Sequence, residues 1–450
     1  MFVGPNNGGK STVIEALRAL SQKNRAPSFT EGKRNKAADD RVSITAKLAA
    51  GHTHTLQTKT TGGSETEWTL SEGAEPLPVV FALPSRRYFN PYFGKGTWQR
   101  ESYITNVGLP PQRGAPLDSF SHRLFHALDN RPAFDEVLGQ VLDPLPEWTI
   151  DQSDQGQYYL KIQAGEAYHN SDGMGEGLVS LFFIVDALHD SQEGDVIVID
   201  EPELSLHPSL QKKLSALLCH YSATRQVVYA THSPYFLNVP ALFDGAQVAR
   251  LSRSRSGCEV FQVETDAVDG LRGLLSNVNN PHIMGLSARE AFFLKDRILL
   301  VEGQEDVVVY GGILKQLRIS VSGDFFGWGV GGAGNMRAIA VLLKQLGFHR
   351  VVGLLDADKA DMLPALREKF PEYRFFAIPA DDVRTKSARQ ARAEVKGLTD
   401  SKGTLDPQYE DDFREIVSRA EEYLVGPQCH QTPTSPLNAD GNSAPLHSCR

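Results

Sequence analysis

The sequence contains little cysteine, no long apolar run and no excess of positive charge. Its four cysteines are scattered, at Cys219, Cys258, Cys429 and Cys449. Without close pairs or matching histidines, they predict reduced thiols rather than disulfides or a zinc site. This cysteine usage favours a cytoplasmic protein.

No apolar segment reaches the roughly 18 residues that a membrane-spanning helix needs. The most hydrophobic stretch, Leu178 to Leu188, is interrupted by Asp186. A phosphate-binding motif begins at Gly4, so cleavage of an N-terminal signal peptide would destroy it. The sequence therefore predicts a protein without a membrane segment.

The net charge of -9 argues against a protein that coats nucleic acid through general phosphate contacts. Any such contact has to come from local basic patches. The candidates are residues 23–36, 250–255 and 384–396, although each pattern is also typical of a solvated face.

The pattern along the chain indicates an α/β protein, and its 450 residues predict two or three domains. Apolar strands alternate with amphipathic helices from about residue 171 onwards, which favours parallel sheets covered on both faces. Before that point the alternation predicts small antiparallel strands within 42–57, loops over 84–116 and a helix over 117–142.

A glycine-rich loop follows a short apolar strand and opens a helix at the start of the chain. It reads Gly4-Pro5-Asn6-Asn7-Gly8-Gly9-Lys10-Ser11-Thr12 and fits the pattern G-x-x-x-x-G-K-[ST]. Backbone N–H groups in such a loop wrap nucleotide phosphates, and the helix N-terminus adds partial positive charge. We expect ATP to bind here, with Lys10 at its phosphates and Ser11 on Mg2+.

Two acids end the apolar strand predicted over 195–200. Asp200 is placed to complete the Mg2+ shell with Ser11, as a Walker B aspartate does. The adjacent Glu201 is the natural base or orienter of the attacking water. The next predicted strand, over 226–230, is followed by His232.

A second group of acids follows other predicted strands. It consists of Glu302, Asp306, Asp356 and Asp358. Glu302 follows the strand at 298–301 and Asp356 follows the strand at 351–355, so their carboxylates should converge at the carboxyl edge of a sheet. Crowded carboxylates share protons or bind divalent cations, and we expect metal. Two metal ions here would support chemistry that cuts or rejoins a phosphodiester.

Taken together, these motifs resemble two known domains. The first set resembles the ATPase heads of the ABC class, in the branch of SMC proteins and OLD (overcoming lysogenization defect) nucleases. This set consists of the phosphate loop, Asp200-Glu201, Leu206-His207-Pro208 and His232. The second set resembles a Toprim domain. It consists of the Glu302-Gly303 pair, the glycine turn at 331–334 and Asp356-Ala357-Asp358. In this order, over about residues 1–400, they are similar to the OLD-family ATP-dependent endonucleases.

For the ATPase, the resemblance implies that His232 senses the γ-phosphate. It also implies that a signature segment at Ser171-Asp172-Gly173 docks on ATP bound to a second head, which makes a homodimer or higher homo-oligomer. The nucleotide-binding residues implied are Gly4, Asn6, Asn7, Gly9, Lys10, Ser11, Thr12, Ser171, Asp172 and Gly173. Heads of this class carry a strand pair before the phosphate loop, so we expect an N-terminally short domain.

For the nuclease, the resemblance implies Mg2+, or Mn2+, held chiefly by Asp356 and Asp358. Glu302 would be the general base or a ligand, and Asp306 a further ligand. Glu305 replaces Asp306 if the register is shifted by one residue, and Asp381 or Asp382 is either another ligand or a helix cap. OLD proteins also carry a lysine that steadies the transition state, for which the candidates are Lys386 and Lys396.

We therefore expect an ABC-type P-loop ATPase domain over 1–290, with a helical or loop insertion at about 80–150. A Rossmann-like Toprim domain over 291–425 and a disordered tail over 426–450 follow. The expected function is a nucleotide-gated DNA endonuclease, and by analogy a role in bacterial anti-phage defence beside a partner protein. The alternatives are a non-nucleolytic DNA-loading or signalling ATPase with a degenerate Toprim module, and a nuclease with an inactive ATPase.

Overall fold

A computed structural model describes residues 1–21, 26–29, 40–106, 115–164, 167–253, 257–264, 296–386, 395–400 and 402–426. These residues form a mixed α/β structure around two largely parallel sheets, which confirms the predicted α/β class. The predicted domain boundary near 290, the basic residues of the patch at 23–36 and the tail beyond 426 lie outside the described residues.

The first sheet has six strands. They are β1 (Phe2–Val3), β5 (Val80–Leu83), β9 (Val196–Asp200), β10 (Gln226–Ala230), β11 (Ala249–Arg253) and β12 (Cys258–Gln262). Their order is β12-β11-β1-β10-β9-β5, and only the pairing of β12 with β11 is antiparallel. Phe2 pairs with Ala230 and Ala249, so the start of the chain lies inside the sheet.

Helices cover both faces of this sheet. Helix α1 (Lys10–Leu20) lies on one face, and α5 (Glu176–His189) and α6 (Pro208–Tyr221) lie on the other. Successive side chains of a strand point to opposite faces. Val198 therefore packs in the core of α1, whereas its neighbour Ile197 packs with α5 and α6.

Two small antiparallel sheets and three further helices lie among the described residues between α1 and α5 in sequence. The first small sheet is β2 (Ser43–Lys47), β3 (Thr53–Thr58) and β4 (Thr66–Leu70), and the second is β6 (Trp148–Gln152), β7 (Tyr158–Ala164) and β8 (Ala167–Asn170). The helices are α2 (Arg100–Asn106), α3 (Phe120–Asp129) and α4 (Arg131–Leu138).

Two predictions for this region are wrong in detail. The helix expected over 117–142 is two helices, because Asn130 leaves the helical backbone conformation and Pro132 starts the next helix. The stretch 84–116, predicted as loops, contains α2. At the start of the insertion predicted at about 80–150, β5 pairs with β9 in the first sheet, and the bounds of the insertion stay a prediction.

The second sheet has four parallel strands in the order β14-β13-β15-β16. They are β13 (Ile298–Leu300), β14 (Asp324–Phe325), β15 (Val351–Leu355) and β16 (Arg374–Ala377). The elements around them are α7 (Val239–Phe243), α8 (Gln304–Gln316), α9 (Met336–Gln345), α10 (Leu363–Lys369), β17 (Asp382–Arg384), β18 (Gly397–Thr399) and α11 (Glu410–Val425). Val351 and Val352 pack into different cores, so both faces are covered, as predicted.

The two sheets are joined through β11 and the end of α9. Arg250 is 1% exposed, its Nη1 donates to the carbonyl oxygen of Leu346 at 3.1 Å, and its guanidinium lies 4.0 Å from the ring centroid of Phe348. The prediction that Arg250 belongs to an exposed basic patch is therefore wrong. None of the helices in the described segments is long and apolar enough to span a bilayer.

Candidate functional site

The phosphate loop runs from the end of β1 to the start of α1. Gly4 and Gly9 have φ values of 137° and 102°, in the region that favours glycine. A Cβ at Gly4 would lie 2.2 Å from the carbonyl oxygen of Leu251 on β11. The glycine therefore allows the loop to pack directly against its neighbouring strand.

Lys10 lies inside this loop. The whole residue is 5% exposed, and its Nζ donates to the carbonyl oxygens of Gly4 at 2.9 Å and Pro5 at 3.0 Å. Burial lowers the pKa of Lys10, and the carboxylates of Glu201 and Asp200 oppose this shift. The ammonium is thus close to both acids, as binding of ATP with Mg2+ requires. Ser11 is half-buried and Thr12 exposed, next to it on α1.

The carboxyl ends of β9 and β10 face the phosphate loop because β10 pairs with β1. Asp200 is buried at the end of β9, and the backbone N–H of Glu201 donates to the carbonyl oxygen of Ala230 at 2.8 Å. His232 Nε2 lies 3.9 Å from Glu201 Oε1. Burial, and then the charge of Lys10, lower the pKa of His232, so its ring is neutral at pH 7.

Two supporting residues had no predicted role. Glu203 accepts hydrogen bonds from the Thr231 hydroxyl at 2.8 Å and from the backbone N–H of His232 at 2.6 Å, which fixes the turn after β10. The only sequence feature that pointed to Glu203 was its place in the acidic segment Asp200-Glu201-Pro202-Glu203. Arg87 is buried against the turn after β9. It lies in a stretch predicted as loops, where nothing in the sequence indicated a role for it.

The predicted signature segment lies between β8 and α5. Ser171 is half-buried and Asp172 and Gly173 are exposed, and the N–H of Gly173 donates to the Asn170 side chain at 3.0 Å. Among the described residues, no hydrogen bond joins this segment to the phosphate loop of the same chain. Its docking on ATP bound to a second head stays a prediction.

The second group of acids lies at the carboxyl edge of β13 and β15. These strands are neighbours, and the backbone N–H of Asp356 donates to Glu302 Oε1 at 3.1 Å. Asp306 is 7% exposed and accepts a hydrogen bond from the N–H of Gly303 at 2.9 Å, at the start of α8. Three of the four predicted carboxylates thus converge at one sheet edge.

Burial and nearby negative charges raise the pKa values of these three acids. Burial, together with the charges of Asp306 and Glu302, raises the pKa of Asp356 to about 8. Burial also raises the pKa of Asp306 to about 6 and that of Glu302. Asp356 Oδ1 is buried without a hydrogen-bond partner among the described residues. A buried, unpaired oxygen among acids fits a bound cation.

The other candidates around this edge differ in position. Asp358 is exposed and accepts a hydrogen bond from Lys359 Nζ at 2.5 Å, although its charge still acts on Glu302 and Asp356. Glu305 pairs with Arg384 at 2.6 Å and with Lys386 at 3.1 Å. The structure therefore gives Glu305 an ion-pair role, and Asp306 stays the predicted ligand.

The remaining candidates lie on or beside β17 and β18. Asp382 raises the pKa values of Asp306 and Asp356, whereas Asp381 is exposed, so Asp382 is the acid that faces the group. Lys386 Nζ lies 2.6 Å from Asp382, and Lys396 is exposed. Of the two candidate lysines, Lys386 is thus the one tied to the acidic edge.

The acids do not form a closed metal cage. Among the described residues, no group of three or more His, Cys, Asp or Glu side chains is arranged to hold a metal ion. Mg2+ usually keeps several waters and binds through one or two carboxylates plus phosphate oxygens. The open arrangement of Glu302, Asp306 and Asp356 fits that type of site.

Comparisons with known proteins support the predicted resemblance to ATPases and nucleases. Residues 107–238 match a family model described as "AAA domain, putative AbiEii toxin, Type IV TA system". The chain is 32% identical over 128 residues to an OLD nuclease of Thermus scotoductus and 25% identical over 164 residues to the Endonuclease GajA of Bacillus cereus. The predicted resemblance to OLD nucleases is confirmed. It covers 27% and 36% of this chain, respectively.

The chain spans about a quarter of the length of these curated relatives, 23% of the OLD nuclease and 26% of GajA. Among solved structures, a SmcHead bound to the C-winged helix domain of ScpA has a TM-score of 0.38 at 12% identity, covering 58% of this chain and 89% of that chain. The SMC head domain from Thermotoga maritima has a TM-score of 0.33 at 14% identity, with the same coverage of 58% and 89%. Likenesses this weak carry no conclusion about this chain.

Proposed function

We propose that this chain binds and hydrolyses ATP, and that its nucleotide state controls metal-dependent cleavage of DNA by the second sheet. In this proposal the first sheet belongs to an ABC-type head and the second to a Toprim domain. The observation that carries it is the presence of two acid-lined sheet edges in one chain, one facing the phosphate loop and one holding Glu302, Asp306 and Asp356.

At the first edge, the loop amides and Lys10 bind the phosphates of ATP. Ser11 and Asp200 hold Mg2+, and Glu201 accepts a proton from the attacking water or orients it. His232 is neutral and lies beside Glu201, where its ring N–H can donate to the γ-phosphate. A second copy of the chain would supply Ser171, as the resemblance to ABC-class heads implies.

At the second edge, Glu302, Asp306 and Asp356 would hold Mg2+ or Mn2+. A bound divalent ion supplies an activated water and charge stabilisation at the phosphate. Asp356 must lose its proton before it can act as a ligand, because burial keeps it protonated near neutral pH. Lys386, held by Asp382 and Glu305, supplies a positive charge next to this edge.

The proposed partners are DNA and a second copy of this chain. DNA as substrate is supported by the resemblance to proteins named OLD nuclease and Endonuclease GajA. Cytoplasmic location, anti-phage defence and a separate defence partner are proposals by analogy alone.

The proposal is tested with a plasmid-nicking assay in Mg2+ or Mn2+, with and without ATP. Wild-type protein should nick the plasmid, and Asp356→Ala should lose cleavage at least 100-fold while keeping ATP binding, because the unpaired oxygen is removed. Asp361→Ala is the matched control, since Asp361 is exposed on the same turn. No cleavage by wild type in any nucleotide state would overturn the nuclease proposal.

The exposed position of Asp358, paired with Lys359, favours the alternative of a DNA-loading or signalling ATPase with a degenerate second site. In that case the protein would bind DNA and hydrolyse ATP without cleavage. A nuclease with an inactive ATPase is separated by Lys10→Ala. If this substitution changes neither ATP turnover nor the effect of ATP on cleavage, the phosphate loop has no role in control.

A further inference from the structure

Arg87 is a buried guanidinium at the carboxyl end of the first sheet, shortly after β5. It is 4% exposed. Its Nη1 donates to the carbonyl oxygen of Asp200 at 2.7 Å, and its Nη2 donates to that of Glu201 at 2.9 Å. One side chain therefore binds the backbone of both Walker B acids.

The backbone of Glu201 needs such support. Its φ of 49° lies in the left-handed region, which residues other than glycine adopt at a cost. Its N–H is fixed by Ala230 at 2.8 Å, and its carbonyl oxygen is fixed by Arg87. Backbone of this kind persists only where the surrounding structure over-determines it. The direction of the Glu201 side chain thus depends on both anchors.

Arg87 is itself held in place by two further acceptors. Its Nη1 also donates to the carbonyl oxygen of Pro84 at 2.7 Å, and its Nε donates to the hydroxyl of Ser180 on α5 at 2.7 Å. Burial lowers the pKa of Arg87 to about 10, opposed by the charges of Glu203 and Asp200. The group is therefore charged at neutral pH, and its hydrogen bonds to carbonyl oxygens are charge-assisted.

We propose that Arg87 is a positioning residue for ATP hydrolysis, which holds Glu201 in the left-handed conformation that directs its carboxylate toward the phosphate loop. This inference rests on the proposed ATPase function. Arginine is required because its planar fork reaches several acceptors at once, whereas a lysine ammonium is a single point of donation.

The test compares Arg87→Lys with Arg225→Lys. Arg225 is a matched control at the opposite end of the sheet, where its Nε donates to the Ser191 hydroxyl at 2.7 Å and its Nη2 donates to the Ser191 carbonyl oxygen at 2.8 Å. For each variant, the Kd for ATP with Mg2+, the kcat of hydrolysis and the Tm are measured. The same Arg87→Lys change is also made in a Glu201→Gln background.

The expected result is a fall in kcat of at least tenfold for Arg87→Lys, with a change in Kd below threefold. Arg225→Lys should keep kcat within twofold. In the Glu201→Gln background, Arg87→Lys should lower kcat by less than twofold, because its effect passes through the Glu201 carboxylate. A merely structural arginine would instead lower kcat by the same factor in both backgrounds, and that result would overturn the inference.

Failure of the two proposals can be told apart. Wild-type protein that binds ATP without turnover would overturn the proposed ATPase function and this inference with it. Wild-type turnover with unchanged kcat in Arg87→Lys would overturn only the role of Arg87. If Arg87→Lys does not fold, Ser180→Ala replaces it: removing the acceptor of Nε should lower kcat about threefold at constant Kd, and an unchanged kcat would count against the role.

Discussion

Asp356 is the residue at the second edge whose chemistry departs most from that of a free side chain. Its carboxyl group has a pKa of about 8 because it is buried beside Asp306 and Glu302. It is therefore protonated in the metal-free protein at pH 7 and has to release this proton when a cation binds. Binding of Mg2+ is expected to strengthen as the pH rises towards 8.

The same pKa predicts how Asp356→Asn changes stability. The ordinary pKa of an aspartate is 3.8, so between pH 4 and pH 8 the folded protein binds the proton and the unfolded chain does not. The free energy of unfolding therefore falls as the pH rises through this window. In EDTA at pH 8, Asp356→Asn should raise the Tm by roughly 2–4 °C, with no gain at pH 4, measured by differential scanning calorimetry.

Asp361→Asn serves as the control for this measurement, because its exposed side chain lies on the same turn without the buried acids. It should leave the Tm unchanged at both pH values. An equal gain for Asp356→Asn at pH 4 and pH 8 would show that the effect does not come from ionisation.

The glycine turn before α9 is the element that shapes the second edge. The N–H of Gly332 donates to the carbonyl oxygen of Glu302 at 2.7 Å, which ties the turn to the end of β13. Gly329 has a φ of 92°, and a Cβ there would lie 2.6 Å from the backbone of Gly303. Gly303 stands between Glu302 and Asp306 in sequence, so this close approach sets the spacing of two acids.

Gly329→Ala should therefore impair the second site alone. The added methyl group has to move the Gly303 backbone, and the left-handed conformation adds about 1–2 kcal/mol of strain. We expect cleavage to fall at least tenfold while the Kd for ATP stays the same. Gly334→Ala is the matched control, since a Cβ there meets no atom within 4 Å. Equal cleavage by both variants would contradict this account of the turn.

At the scale of the whole molecule, β11 connects the two sheets. The carbonyl oxygen of Leu251 contacts Gly4 of the phosphate loop, while the preceding residue, Arg250, stacks on Phe348 beyond α9. Helix α9 in turn begins directly after the glycine turn at the second edge. One strand and one helix thus lie between the nucleotide loop and the acids, and α9 packs in a core that also contains Val3 at the end of β1.

Arg250→Ala should weaken this connection. It removes the hydrogen bond to Leu346 and the packing on Phe348, and should lower the free energy of unfolding by about 1–3 kcal/mol. The ratio of cleavage rates with and without ATP should move towards one, although each activity persists. Arg253→Ala, at an exposed position of the same strand, is the control. An unchanged ratio would show that control by ATP follows another route.

Many elements near the sites were predictable because their signals are local. The strands ending at Asp200 and Leu355 carry uninterrupted apolar residues, and the helices after them carry an apolar periodicity. The two helices in place of one over 117–142 show the limit of this reasoning. Periodicity continued across Asn130 and Pro132, while the backbone did not.

The sequence by itself determined the phosphate loop, the acids at the strand ends and the α/β class, because spacing along the chain decides which residues a turn or strand end presents. Only the tertiary structure placed β1 beside β10, buried the Oδ1 atom of Asp356, exposed Asp358 and brought Arg87 to the carbonyl oxygens of Asp200 and Glu201. The reason is physical: these features depend on contacts between segments far apart in sequence. Desolvation and long-range pairing arise only when the sheets assemble.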